Sequence, residues 1–146
     1  MAALVPKDPD YERRVRASFA RQRAMETFGA RLLRVAPGEV EIGLDFAEAF
    51  TQQHGYLHAG VVTALVDTAC GYAALSLTEP GAEVLSVEFK LNLLSPAAGQ
   101  SFVARARVVR AGRNLTVCAG DFYSVQEGGG EKVVATMLAT IMKVVG

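Results

Sequence analysis

Two hydrophobic periods divide this chain. In residues 84–94, Leu85, Val87, Phe89, Leu91 and Leu93 alternate with Ser86, Glu88, Lys90 and Asn92, the period of two of a half-buried strand, and Ser95-Pro96 ends it. Phe102, Ala104, Ala106 and Val108 alternate with Val103, Arg105, Arg107 and Val109 in the same way. Ala111-Gly112 turns the chain into residues 114–126, and Gly128-Gly129-Gly130 turns it again into residues 133–145. Upstream, Pro37-Gly38 separates two shorter candidate strands, 30–36 and 39–46. These hairpin-linked segments predict an antiparallel sheet of five or six strands. Residues 59–77, AGVVTALVDTACGYAALSL, are apolar nearly all round, which predicts a helix about 28 Å long, at 1.5 Å per residue, buried on more than one side. Its small residues Gly60, Ala64, Gly71, Ala73 and Ala74 would allow another backbone to approach closely. One long buried helix wrapped by a curved antiparallel sheet is an α+β architecture. Residues 11–28 place Val15, Phe19, Met25 and Phe28 among Arg13, Arg14, Arg16, Arg21 and Arg23, the pattern of a surface helix with a narrow apolar stripe and a solvated basic face. The expected organisation is an N-terminal helical extension over residues 1–28 and a single domain over 29–146.

Composition narrows the function. The 146 residues are 51% apolar, with 15 basic and 15 acidic side chains. A pI near 6.7 supplies no field to hold nucleic acid or an anionic bilayer. Cys70 and Cys118 lie far apart with no CxxC pair, so no zinc site or disulfide framework is expected, and two free thiols suit the cytoplasm. The N-terminus carries no secretory pattern, and the most apolar stretch, residues 61–77, is interrupted by Asp67, so no membrane span is expected.

Charge distribution points to the chemistry. Asp67 is the only charged residue between Ala49 and Thr78. A carboxylate inside an apolar helix is costly unless it is paired, protonated or facing a cavity, so Asp67 is either a hydrogen-bonded structural group or a catalytic carboxylate. The first N–H groups of the same helix, around Ala59 and Gly60, lack helical partners and sit at its positive end, suited to a developing oxyanion or simply to water. Ala59 and Asp67 are about 12 Å apart along the axis, too far for one carbonyl to touch both. Two antiparallel copies of the helix across a twofold axis would bring Ala59 of one chain near Asp67 of the other, so the expected active site is shared in a homodimer.

The run Gly55-Tyr56-Leu57-His58-Ala59-Gly60-Val61, followed by Leu65-Val66-Asp67-Thr68-Ala69, resembles the signature of hotdog-fold acyl-CoA thioesterases, in particular the phenylacetate-degradation (PaaI-like) branch, where a GxLHGG loop opens the central helix and an LxD segment lies within it. The similarity runs from about Phe28 to Val145 and includes Ser86, Ser95-Pro96 and the turn Arg110-Ala111-Gly112-Arg113. The resemblance implies hydrolysis of an aryl or medium-chain acyl-CoA without a metal or other cofactor, by a dimer that pairs into a tetramer. It makes Asp67 nucleophile or general base, has the Ala59 N–H polarise the thioester carbonyl, gives Gln52 the positioning of water or thioester, and sets Ser86 near the partner's carboxylate. His58 would brace the loop, and with Gly60, Tyr56 and Thr68 it is expected to contact the substrate. Tyr56, Leu57, Val61 and Phe89 would line an apolar pocket. Lys90, Arg110 and Arg113 are candidates for the coenzyme phosphates, or ordinary surface charges. The chain departs from the family in having Ala59 where Gly is usual. Enoyl-CoA hydratase chemistry on this fold follows a pattern with His five residues after the Asp; here that residue is Tyr72. A non-catalytic acyl-CoA binder is the other alternative, whereas serine-hydrolase chemistry has no GxSxG to rest on.

Overall fold

The computed structural model describes residues 3–145; Met1, Ala2 and Gly146, the ends of the two expected segments, lie outside it. The elements run α1 (Tyr11–Ala20), α2 (Arg23–Phe28), β1 (Arg31–Ala36), β2 (Glu39–Asp45), α3 (Ala59–Leu75), β3 (Ala82–Leu93), β4 (Ser101–Ala111), β5 (Leu115–Val125) and β6 (Glu131–Val145). All strands join one antiparallel six-stranded sheet in the order β1-β2-β4-β5-β6-β3, and α3 packs across its inner face. This is the hotdog arrangement of a long helix against a six-stranded sheet.

The inner face is built as period two requires: Val40, Ile42 and Leu44 of β2, Phe102 and Ala104 of β4, Cys118 and Phe122 of β5, and Ala135, Met137, Ala139 and Ile141 of β6 are buried with Leu65, Val66 and Ala69 of α3. Phe102 and Phe122 stack with ring centroids 5.4 Å apart. Helix and sheet come closest at Gly120, where a Cβ would lie 2.7 Å from Val66 Cγ1 and 3.0 Å from Cys70 Sγ. The helix ends at Leu75, two residues short of the expected boundary. There the Ser76 hydroxyl donates to Ala73 O at 2.7 Å and accepts from the Gly38 N–H at 2.8 Å, tying the helix end to the β1–β2 turn.

The expected helix over 11–28 is two helices, broken at Gln22, whose backbone is extended (φ −80°, ψ 103°). Its basic face is not uniformly solvated either. Arg14 turns inward, and its guanidinium donates to Leu75 O, Thr78 O, Thr78 Oγ1 and Glu79 O at 2.6–3.1 Å while pairing with Asp8, itself 7% exposed. The cation thus adds donors to carbonyls at and just beyond the C-terminal end of α3, where the helix dipole is negative. With Val15 and Met25 buried in the core, the N-terminal segment is a strap built into the domain.

Strand β3 departs from strict alternation. Ser86 pairs with Ile141, but Glu88 pairs with Thr140, so Val87 is an extra residue in a β-bulge. The bulge reverses the parity. Ser86 lies opposite buried Ile141, and Phe89, Leu91 and Leu93 lie opposite buried Ala139, Met137 and Ala135, all on the inner face; Leu85, Glu88, Lys90 and Asn92 fall on the outer face. The expectation that grouped Ser86 with Lys90 and Leu85 with Phe89 is therefore corrected.

Candidate active site

The loop before α3 is held by backbone bonds, within itself and to the segment after β3, that aim the helix N-terminus at a cleft. Thr51 bridges to Leu57, the His58 N–H donates to Phe50 O at 2.9 Å, and the Leu57 N–H donates to Ala97 O at 3.2 Å. His58 is the N-cap: its Nδ1 accepts the Gly60 N–H at 2.8 Å, so the imidazole braces the helix start. Gln52 is a loop organiser too, its Oε1 accepting from the His54 N–H at 2.6 Å and the Tyr56 N–H at 3.3 Å. Among the described residues no acceptor meets the Ala59 N–H. This donor faces a cleft of about 560 Å³ lined by Gln52, Tyr56, Leu57, Ala59, Leu93 and Pro96 among others.

Asp67 stands elsewhere on the helix, half-buried, with its Oδ1 accepting the hydroxyl of Ser86 of its own chain at 2.6 Å, which corrects the expectation that Ser86 stands near a partner's carboxylate. That bond exists because the Val87 bulge keeps Ser86 on the inner face. The carboxylate opens into a second groove of about 340 Å³ that also takes in Ser18, Gln22, Thr68, Tyr72, Glu83 and Leu85. Thr68 Oγ1 donates to Gln22 Oε1 at 3.3 Å, Gln22 Nε2 donates to the Tyr72 hydroxyl at 3.2 Å, and Ser18 Oγ lies 3.2 Å from the same hydroxyl. Within one chain, then, the Ala59 N–H and the Asp67 carboxylate lie in separate clefts.

Other expected site residues distribute differently. Tyr56 and Leu57 line the first cleft, but Val61 is buried in the core and Phe89, on the inner face, lines neither cleft. Lys90 and Arg110 project from the outer face, paired in register with Leu138 and Val117, and Arg113 stands in the β4–β5 turn; none of the three lines either cleft. Ser18, Gln22 and Tyr72 escaped the sequence reading. The first two carry no local signal beyond being polar on a helical segment, and Tyr72 drew notice only as a missing histidine.

The cysteines are not candidate nucleophiles. Burial pushes the Cys118 thiol up to about 12 and raises Cys70 as well, with Cys118 adding to the effect. Cys118 Sγ donates to Cys70 O at 3.4 Å inside the core. Among the described residues no three His, Cys, Asp or Glu side chains come together as metal ligands, and no helix is long and apolar enough to cross a membrane.

Residues 54–131 match the model of the Thioesterase superfamily. The human acyl-coenzyme A thioesterase 13 is 34% identical over 98 residues, 66% of this chain and 69% of its own length. Among solved structures, a thioesterase family protein from Silicibacter pomeroyi superposes with a TM-score of 0.90 at 51% identity, covering 93% of this chain and 99% of its own. The PaaI protein of E. coli, at 20% identity and a TM-score of 0.83 over 94% of this chain and 95% of its own, shares the fold. With the family model matching more than half of the chain, around the loop and helix that carry Ala59 and Asp67, the protein belongs to the thioesterase superfamily and is a hotdog-fold thioester hydrolase.

Proposed function

We propose that the protein hydrolyses acyl-CoA thioesters at two sites shared across a homodimer, each built from the Ala59 cleft of one protomer and the Asp67 groove of the other. The observation that carries this is the placement of β3. It is a sheet edge, hydrogen-bonded to β6 alone, and its Leu85, Val87, Phe89 and Leu93 are between 43% and 59% exposed. A long, apolar, unpaired edge is unstable as a free surface and a template for another strand. The same strand runs from Ser86, beside Asp67, to Leu93, beside the Ala59 cleft. Antiparallel pairing of two β3 strands about a twofold therefore sets the Ser86 half of each against residues 89–93 of the other, which brings unlike clefts together and removes the 12 Å separation on one helix. The resemblance to the PaaI-like branch extends this assembly to a tetramer of two dimers.

In the reaction, the Ala59 N–H and the helix dipole polarise the thioester carbonyl, and Gln52 holds the loop that presents them. Asp67, oriented by Ser86, supplies the attack, either on the carbonyl carbon or on a water that it deprotonates. A C–O bond forms, the C–S bond breaks, and the coenzyme A thiolate leaves and takes up the proton released by water; where Asp67 itself attacks, a water then hydrolyses the mixed anhydride to free acid and restores the carboxylate. The donor is a backbone group, so the methyl of Ala59 does not remove it. For the coenzyme phosphates we assign Arg113, whose turn lies on the same end of the sheet as Ser86, since Leu115 pairs with Met142 and Met142 with Leu85. The apolar side chains around the Ala59 cleft suit the part of an aryl or medium-chain acyl group next to the thioester, with the rest of that group running into the adjoining Asp67 groove.

The test is thiol release from a panel running from acetyl- to palmitoyl-CoA with benzoyl- and phenylacetyl-CoA. Asp67→Asn is expected to lose orders of magnitude in turnover while folding and assembling normally; a folded variant as fast as the parent removes Asp67 from the mechanism. No release from any thioester, with folded dimeric protein, transfers the proposal to acyl-CoA binding. Sharing is tested with Ala59→Pro. Proline fits the first helical position, and His58 at ψ 139° tolerates a following proline, so the substitution deletes the N–H and leaves the helix. Mixing it with Asp67→Asn should restore activity to roughly a quarter of wild type, because half of the dimers are mixed and each has one intact site. No restoration refutes the shared site.

A further inference from the structure

We infer that Gln22, with Tyr72, reads the distal end of the acyl group and selects acyl chains that carry a neutral hydrogen-bonding substituent there. This rests on the thioesterase reading and goes on to the substrate class. The groove into which Asp67 opens is walled on one side by the N-terminal strap, and the two strap residues that line it, Ser18 and Gln22, are both polar. They meet Thr68 and Tyr72 of α3, the positions one and five residues beyond Asp67, so the polar cluster extends about 7.5 Å along the axis from the carboxylate. That is the reach of a five- to six-carbon acyl chain from its carbonyl.

The cluster is closed on itself only loosely. Its three contacts, at 3.2–3.3 Å, are at the long end of hydrogen-bond distances. The Gln22 amide uses one of its two N–H donors and one of its carbonyl lone pairs there, leaving one of each. The Tyr72 ring is buried, 7% exposed, and packed edge-on to Phe19 at 6.0 Å, so its hydroxyl is held in place at little conformational cost. A hydroxyl or amide on the substrate can join this network as donor and acceptor. A plain alkyl end would bury those polar groups without replacing their water, which is the situation in which polar sites discriminate most strongly. Charge selects further: the groove is lined by Asp67 and Glu83 and by no basic residue, so a distal carboxylate is repelled.

The experiment compares hexanoyl-, 6-hydroxyhexanoyl- and adipoyl-CoA with the 146-residue chain and with its Gln22→Leu and Tyr72→Phe variants, reading kcat and KM by thiol release and folding by circular dichroism. Wild type is expected to prefer 6-hydroxyhexanoyl- over hexanoyl-CoA by about tenfold in kcat/KM, mostly through KM, and to disfavour adipoyl-CoA. Gln22→Leu should bring the hydroxyl preference close to unity, and Tyr72→Phe should reduce it part-way. The inference is overturned if wild type hydrolyses the plain and hydroxylated chains equally, or if both variants lose the two substrates in parallel, which marks a purely structural role. Absence of hydrolysis of every thioester by wild type overturns the thioesterase reading and this inference with it, and is distinguished by that universality.

Discussion

Replacing Ser86 with alanine removes one hydrogen bond, 2.6 Å long, from the carboxylate at the centre of the proposed site. A hydrogen bond to a charged partner is worth about 1.5–3 kcal/mol net. If it orients Asp67 and persists into the transition state, that energy corresponds to roughly a 10- to 150-fold fall in kcat, at 1.36 kcal/mol per tenfold. Steady-state thiol release with a medium-chain acyl-CoA reads kcat and KM, and sedimentation equilibrium verifies that β3 still supports assembly. Ser86→Thr keeps the hydroxyl and should stay within a few-fold of wild type. The cycle with Asp67→Asn is more demanding: Ser86 acts through the carboxylate, so Ser86→Ala should cost almost nothing once Asp67 is gone. A kcat within twofold of wild type, or an equal loss in the Asp67→Asn background, would refute the assignment.

Arg14→Met should destabilise the fold by about 2–4 kcal/mol in urea unfolding at fixed protein concentration, because it removes the donors to the Leu75, Thr78 and Glu79 carbonyls and leaves the buried Asp8 carboxylate without its cation; a loss below about 0.5 kcal/mol contradicts this role. Gly120→Ala places a methyl 2.7 Å from Val66 Cγ1 and should cost about 1–3 kcal/mol, read in the same assay, with near-neutral behaviour showing that α3 can lift off the sheet freely. Burial pushes the Cys118 thiol up to about 12 and raises that of Cys70 as well, so both are almost wholly protonated at pH 8. Both should therefore resist a disulfide reagent at pH 8 in the native protein and react at once in denaturant; rapid native reaction refutes their burial.

The elements of this protein were legible because period and punctuation are local properties. Alternation in the β4 to β6 segments, the apolar run of α3 and the turns at Pro37-Gly38 and Ala111-Gly112 each need only neighbouring residues, and the structure has strands, helix and turns there. The anomaly of Asp67 is equally local, a charge where the helix is otherwise apolar. Three other features were decided only in three dimensions. The Val87 bulge is set by the register between β3 and β6, and it alone turns Ser86 to the inner face toward Asp67. Arg14 reads as one of several surface cations until the C-terminal end of α3, some sixty residues away, presents it with carbonyls to bind. Gln22 and Tyr72 are separated by fifty positions and become one wall of a groove only when the strap crosses the helix. Sequence determines what each segment can bury and where it must turn; which polar groups meet depends on long-range register and packing, and the candidate site is made of those meetings.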